Sequence, residues 1–231
     1  MKNRSNESNL EQYWTPRDQL MPLLVPLMNL LSDCITMDHP GGCVMVEPFN
    51  GDGGLTAFSD LLNCHVITND IDPNLSCDYH CDLMDKSIAK SFGRGVMEKI
   101  GDRPHFVFSN PPYTVHDLVW QGGGELGEGG FRKKRKYSAS DFVQGCMDIF
   151  PGADAIVMLL RLNFLEKCKL REELLDGVVN RGGVDWVLRR VIITPRFKFM
   201  NTNGNDAMTT CFCVWVKLDP ANPQPKEISW L

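Results

Sequence analysis

Short apolar runs that alternate with helix-like segments constrain the fold of this chain more than any other feature. Runs at 43–47, 65–68, 105–108 and 154–162 predict strands, and segments near 54–63, 84–99, 140–149 and 164–176 predict helices. Strands that alternate with helices indicate a parallel, doubly wound sheet with helices on both faces. Two longer apolar runs, 184–193 and 208–217, follow without a helix between them. They predict an antiparallel hairpin that closes a mixed, mostly parallel α/β sheet.

The remaining segments predict one domain over 13–218 with irregular ends. Residues 1–12 are polar and predict a disordered tail, and the proline-rich residues 219–231 predict an irregular one. Leucine spacing over 16–33 predicts a helix, kinked or divided at its prolines. Residues 114–120 are expected to begin another helix. The glycines and basic residues of 121–137 predict a flexible exposed loop.

Composition limits the class of protein. The chain has 231 residues and a formal net charge of −5, which counts mildly against nucleic-acid binding, although basic residues cluster at 132–136. No export signal or membrane-length apolar segment is present, which indicates a soluble cytoplasmic protein (in host cytoplasm if phage-encoded) without a membrane partner. The 9 cysteines are therefore interpreted as reduced thiols. The Cys and His residues between 64 and 81 lack common zinc-ligand spacing, so no metal is predicted.

The first predicted strand ends in the stretch VEPFNGDGG, at 46–54. A carboxylate, Glu47, closes the strand, and Phe49, Gly51 and Gly53 form an F-x-G-x-G pattern before the next helix. Glycines let the backbone approach a ligand closely at such a turn. The alternative is an ordinary glycine-rich connection between strand and helix.

Acidic residues follow the next strands. In nucleoside-binding α/β folds, a carboxylate after the second strand accepts hydrogen bonds from ribose hydroxyls. Asp70 is the first candidate for this role, and Asp72 is the second. The alternative is a turn or capping role before a proline. Asp82 is expected to contact an adenine amine or, equally well, to cap the next helix.

The strand at 105–108 ends in Ser109 and the motif N-P-P-Y, at 110–113. With the F-x-G-x-G turn and the acidic strand ends, this motif resembles the S-adenosylmethionine-dependent amino-methyltransferases, above all those that make N6-methyladenine in DNA. The stretch YWTP at 13–16 resembles the family segment that helps to close the cofactor pocket. The stretch from 193 to 216 resembles the last hairpin of small adenine methyltransferases encoded by phages and mobile elements.

The resemblance implies a Rossmann-like class I methyltransferase fold, S-adenosylmethionine as cofactor and DNA as partner. It implies a catalytic motif of Asn110, Pro111, Pro112 and Tyr113. It implies a cofactor site of Tyr13, Thr15, Pro16, Glu47, Phe49, Gly51, Gly53, Asp70, Asp72, Asp82 and Asn110.

The motif suits transfer of a methyl group to a delocalised nitrogen. The Asn110 side-chain oxygen and the Pro111 carbonyl can accept hydrogen bonds from an exocyclic amine, which frees its lone pair for attack. The prolines fix these acceptors. Tyr113 offers a ring on which a base swung out of the duplex can stack.

Substrate contacts are expected from two basic segments. They contain Arg132, Lys133, Lys134, Arg135, Arg196, Lys198 and Phe199. The chain has little room for a domain that recognises a target sequence. The recognised sequence is therefore expected to be short or loosely defined, or its recognition is supplied by a protein partner. An RNA base or a protein glutamine remains an alternative substrate, and a catalytically inactive binding module is an alternative class. Oligomeric state is not predicted.

Overall fold

The computed structural model describes residues 15–56, 59–62, 64–121, 130–166, 168–169, 171–199, 207–223 and 225–231. The helices are α1 (Arg17–Leu20), α2 (Leu24–Leu31), α3 (Ser59–Leu62), α4 (Lys86–Ile100), α5 (Ala139–Ile149) and α6 (Glu172–Asp176), with 3-10 turns at Met21–Leu23 and Leu162–Leu165. The strands are β1 (Cys43–Glu47), β2 (Cys64–Thr68), β3 (His105–Ser109), β4 (Thr114–Gln121), β5 (Gly130–Ser138), β6 (Ala155–Arg161), β7 (Val178–Arg181), β8 (Val184–Ile193), β9 (Phe197–Lys198), β10 (Ala207–Met208), β11 (Thr210–Lys217) and β12 (Glu227–Trp230).

A mixed sheet of eight strands organises the chain. Its order is β12-β8-β11-β6-β3-β1-β2, and β7 pairs with β8 outside this path. Strands β2, β1, β3 and β6 are mutually parallel, whereas β11 runs antiparallel to both β6 and β8. The predicted α/β architecture, mostly parallel with antiparallel strands at one end, is confirmed.

The sheet is covered on both faces because its central strands are apolar at nearly every position. In β1, Val44 and Val46 belong to the core that packs on α4 and α5, whereas Met45 belongs to the core under α1 and α2. This alternation is the period of two that a strand imposes on its side chains. A fully buried strand therefore supports helices on both faces, as the sequence predicts.

Two helices on one face begin with side-chain caps. Asp85 accepts hydrogen bonds from the backbone N–H groups of Ser87 and Ile88 at the start of α4. Ser138 and Asp141 form a capping box at the start of α5. Each cap satisfies backbone donors that the first helical turn leaves unpaired.

The segment after the N-P-P-Y motif forms a hairpin. The prediction of a helix over 114–120 is wrong, because this segment is strand β4. The prediction of a loop over 121–137 is wrong for Gln121, which ends β4, and for 130–137, which belong to β5 and pair antiparallel with β4. Residues 122–129 lie outside the described residues. The β-branched and aromatic residues of TVHDLVW favour a strand, and the pairing partner follows only after the glycine-rich residues.

The C-terminal tail also differs from the prediction. Residues 219–226 form no regular element among those described, but Glu227–Trp230 forms a parallel strand beside β8. Arg190 of β8 holds this strand through an ion pair of 2.7 Å to Glu227 and binds Asp33 at 2.9 Å. The strand depends on this long-range pairing, which a proline-rich local sequence does not reveal.

Other elements match the predictions in part. The helix expected over 16–33 is divided at Met21–Leu23, which contains Pro22. Among the described residues of the predicted helices 54–63 and 164–176, the α-helical segments are Ser59–Leu62 and Glu172–Asp176. Cys43 and Cys64, aligned on β1 and β2, form a disulfide, which corrects the interpretation of all cysteines as reduced thiols.

Every helix among the described residues is too short or too polar to cross a bilayer.

Candidate active site

The carboxyl ends of three parallel strands meet at one edge of the sheet. Glu47 ends β1 and lies beside Thr68 of β2, while β3 flanks β1 on its other side. The residues that follow these strands, including Asp70 and Asn110, therefore emerge at the same edge. Ligands of open α/β sheets bind at this edge.

Glu47 is buried at the centre of this edge. Its Oε1 accepts hydrogen bonds from the backbone N–H of Phe49, at 3.0 Å, and from the hydroxyl of Ser109. Burial raises the pKa of Glu47 to about 8, although these hydrogen bonds oppose the shift. The Glu47 carboxyl thus ties the end of β1 to the end of β3 and is largely protonated at neutral pH.

Asp70 closes the glycine-rich turn against β2. Its Oδ2 accepts a hydrogen bond of 2.8 Å from Gly51 N, and its Oδ1 accepts one of 2.9 Å from Asp72 N. Gly51 and Gly53 have φ angles of 55° and 80°, in the left-handed region where side chains are disfavoured. The turn therefore brings bare backbone to the place where the acidic strand end lies.

Two asparagines that the sequence analysis missed connect these loops. Asn69 is buried and donates to the carbonyls of Pro48 and Cys81, each at 3.1 Å, while its oxygen accepts from Cys81 N. Asn50 donates to Ser76 O at 3.1 Å, and its buried Oδ1 has no hydrogen-bond partner among the described residues. Asparagine is so common in turns that its presence beside predicted site residues is a weak signal.

Asn110 lies against the segment that precedes α1. Its Nδ2 donates a hydrogen bond of 3.1 Å to Thr15 Oγ1. The backbone of Thr15 also packs on Gly54, where an added Cβ would lie 2.5 Å from Thr15 O. The structure therefore brings together the predicted catalytic residue, the predicted N-terminal segment and the glycine turn.

The rest of the motif is rigid and largely covered. Pro111 is buried, Pro112 is half-buried and Tyr113 is 6% exposed. The Arg161 guanidinium lies over the Tyr113 ring, 4.8 Å from its centroid. The tyrosine therefore does not present a bare face in this structure, which differs from the stacking platform that the sequence suggests.

The other predicted cofactor residues lie around this edge. Pro16 is buried and precedes α1, and Phe49 packs edge-on against Phe142 at 5.1 Å. Asp72 accepts from Asn74 N, and Asp82 accepts from Met84 N, both at 2.9 Å. Asp82 therefore stabilises a turn, since the cap of α4 is Asp85. Tyr13 lies outside the described residues.

The predicted substrate residues are not gathered in one place by the described contacts. Arg132, Lys133, Lys134 and Arg135 lie in β5, paired with β4, so they belong to a strand rather than a flexible arm. Arg196 and Lys198 are exposed. Phe199 is 2% exposed and packs in the core beside Phe197, so its ring is not presented to a ligand.

Comparisons with known proteins support no family assignment. No protein-family model and no curated protein matches the chain. Among solved structures, it is similar to a modification subunit provisionally described as part of a type I restriction enzyme of Vibrio vulnificus YJ016, with 14% identity, a TM-score of 0.47, and coverage of 89% of this chain and 44% of that one. It is similar to the M protein of the type I restriction enzyme EcoKI, with 16% identity, a TM-score of 0.47, and coverage of 94% and 46%.

A third similar structure is a Listeria monocytogenes protein, provisionally described as a class I S-adenosylmethionine-dependent methyltransferase. It has 13% identity and a TM-score of 0.49, with coverage of 98% of this chain and 67% of that one. The chain thus spans about half the length of the two restriction-enzyme subunits.

Proposed function

We propose that this protein transfers a methyl group from S-adenosylmethionine to the exocyclic N6 amine of adenine in DNA. One observation carries the proposal: the N-P-P-Y motif leaves β3 at the edge where the glycine turn and Asp70 lie, with Asn110 held by Thr15. The α/β architecture is the one that the resemblance to class I methyltransferases implies.

The orientation of Asn110 supports a role in accepting the substrate amine. Because Nδ2 donates to Thr15, the amide is held in one orientation and its oxygen is the atom that can accept a hydrogen bond. The Pro111 carbonyl is the second acceptor. Two acceptors on one amine favour a tetrahedral nitrogen and localise its lone pair, and the flanking prolines keep them in place without reorganisation.

The residues at the strand ends fit the cofactor. Gly51 and Gly53 leave room for close approach, and Asp70 supplies carboxylate oxygens that suit ribose hydroxyls. The buried Oδ1 of Asn50, without a partner among the described residues, is suited to accept a further hydrogen bond. When bound, S-adenosylmethionine would supply an electrophilic methyl group on a sulfonium.

The ring of Tyr113 is not open for a base to stack on it in this structure. The Arg161 guanidinium covers the ring at 4.8 Å, a favourable cation–π contact. A base that stacks on this face must displace the guanidinium. We propose that an unpaired or flipped adenine does so, since its amine is inaccessible within the duplex.

The substrate is assigned to DNA on two grounds. The C-terminal stretch resembles phage adenine methyltransferases, and the basic strand β5 directly precedes α5, beside the motif. Phosphates attract such cations without regard to sequence. Sequence specificity supplied by a protein partner, and a cytoplasmic location, belong to the same proposal.

Methyl transfer to defined substrates tests the proposal. Purified protein is incubated with labelled S-adenosylmethionine and, separately, unmethylated duplex DNA, single-stranded DNA, RNA and total protein extract, and digested products are identified by mass spectrometry. N6-methyladenine in DNA, absent with Asn110→Ala, is the expected result. Label in RNA or in glutamine would keep the chemistry but refute the substrate. Absence of both cofactor binding and transfer would favour an inactive binding module.

A further inference from the structure

A small cavity opens beside Tyr113, on the side where Arg161 lies. Its volume is about 220 Å³. Its described lining comes from the start of β4, the start of α5, the end of β6 and the turn that follows. The lining residues that carry the argument are Ser138, Ser140, Arg161, Asn163 and Arg171.

Arg161 lines the cavity and lies over the ring from which an arriving base would displace it. It is the last residue of β6, a strand buried in the centre of the sheet, so its backbone is fixed. Its guanidinium lies over the Tyr113 ring, 4.8 Å from the ring centroid, and the residue is only partly exposed. An arginine guanidinium carries its N–H donors in a planar fork, which matches the oxygens of a phosphate group.

Arg171 also lines the cavity and is fixed by contacts with the turn after β6. Its Nη1 donates to the carbonyls of Asn163, at 2.9 Å, and Phe164, at 2.7 Å, and its Nε donates to Cys168 Sγ at 3.1 Å. The same guanidinium lies 5.4 Å from the Phe164 ring centroid. These contacts order the side chain in advance, which lowers the entropy cost of binding a ligand.

The described lining of the cavity includes two arginines, in a chain whose net charge is −5. None of its described lining residues is acidic, whereas Ser140 and Asn163 add neutral polar groups. Asp141, at the start of α5, is not among the lining residues, and it accepts hydrogen bonds from Ser138 N and Oγ at 2.7 Å each. Two guanidinium groups that line one half-closed space are suited to an anion with several oxygens.

We infer that this cavity binds a phosphodiester group of the nucleic-acid substrate, with Arg161 and Arg171 as its ligands. The inference rests on the proposed function, because it takes Tyr113 as the place where the target base arrives. A phosphate accompanies every nucleotide, so a backbone that delivers a base to Tyr113 carries an anion with it. A protein that presents a glutamine brings no such group.

Binding measurements that need no methyl transfer test this inference. Fluorescein-labelled single-stranded and duplex oligonucleotides are titrated with wild-type protein, Arg161→Gln, Arg161→Lys and Arg171→Gln at several salt concentrations, and anisotropy is measured. Arg94→Gln, an equal charge change at an exposed position on α4, is the matched control. Thermal unfolding and cofactor affinity identify variants that fail to fold.

Each glutamine variant is expected to bind the oligonucleotides about tenfold more weakly than the wild type. For each variant, the slope of the logarithm of the association constant against the logarithm of the salt concentration should be smaller in magnitude by about one. Arg161→Lys should keep most of that slope, and Arg94→Gln should match the wild type. Since Arg171 also binds two backbone carbonyls, Arg161→Gln decides the outcome if Arg171→Gln unfolds. Folded Arg161→Gln with wild-type affinity and slope would overturn the inference, as would wild-type protein that binds no oligonucleotide.

The two proposals fail in different ways. If wild-type protein methylates DNA but Arg161→Gln binds it normally, the proposed function stands and the phosphate site is refuted. If binding depends on Arg161 as expected but no adenine is methylated, the phosphate site stands and the proposed function is refuted.

Discussion

Asn110 Nδ2 donates a hydrogen bond of 3.1 Å to Thr15 Oγ1, although the two residues are 95 positions apart in the chain. Thr15 is 5% exposed, and the contact lies between the end of β3 and the segment before α1. A hydrogen bond at so covered a position fixes the rotation of the amide. It links the predicted catalytic residue to the N-terminal segment that the sequence assigns to the cofactor site.

Removal of the Thr15 hydroxyl should slow methyl transfer without abolishing it. Thr15→Val keeps the shape but removes the acceptor, so we expect about a tenfold lower single-turnover rate, the effect of one neutral hydrogen bond. Thr15→Ser should retain most of the rate, whereas Asn110→Ala should lower it by a hundredfold or more. Equal methyl-transfer rates for Thr15→Val and wild type would show that the Asn110 amide does not depend on its hydrogen bond to Thr15.

Loss of the Asp70 carboxylate should weaken cofactor binding. Asp70→Ala removes the acceptor for Gly51 N and Asp72 N, so the glycine turn loses its anchor and the ribose hydroxyls lose a partner. We expect the dissociation constant for S-adenosylmethionine, measured by calorimetry, to rise at least tenfold. Asp72→Ala should have a smaller effect, because Asp72 bonds Asn74 in an exposed turn. A larger loss of affinity with Asp72→Ala than with Asp70→Ala would assign the ribose contact to Asp72.

A methyl group at Gly54 should separate the N-terminal segment from the glycine turn. The new Cβ would lie 2.5 Å from Thr15 O, and backbone atoms on both sides limit relaxation. Gly54→Ala is therefore expected to lower the free energy of unfolding by about 1–3 kcal/mol, measured in urea, and to slow methyl transfer. Gly145→Ala on α5 meets no atom within 4 Å and should stabilise by about 0.5–1 kcal/mol. A neutral Gly54→Ala would contradict the close approach.

The buried carboxyl of Glu47 should make stability fall as pH rises. Its pKa is raised by burial from 4.5 to about 8, so the folded state binds a proton that the unfolded state releases above pH 4.5. The stabilising contribution is thus complete below that pH and is lost as pH rises towards about 8, by an amount on the order of a few kcal/mol.

Urea unfolding at a series of pH values measures this effect. Glu47→Gln keeps an oxygen for Ser109 but cannot ionise, so its unfolding free energy should lack this decline between about pH 4.5 and 8. Glu98→Gln, at an exposed position on α4, should follow the wild type. Parallel curves for wild type and Glu47→Gln would show that Glu47 ionises normally.

The strands that carry the candidate site were predictable because each is encoded locally. The apolar runs at β1, β2, β3 and β6 end in polar residues, and parallel pairing then brings those ends to one edge. The hairpin of β4 and β5 was not predictable in the same way. Its strands are separated by glycine-rich residues, and their pairing overrides the helical interpretation of 114–120.

Local sequence patterns specify the parallel α/β core and the residues at the ends of its strands. Alternating periods of two and about 3.6 specify strands and helices, and parallel order specifies the shared edge. Contacts between residues far apart in the chain become visible only in the folded protein. Thr15 meets Asn110, Ser109 meets Glu47, and Arg161 covers Tyr113. Hydrogen bonds, burial and ring contacts depend on distances in space, and local sequence patterns do not encode those distances.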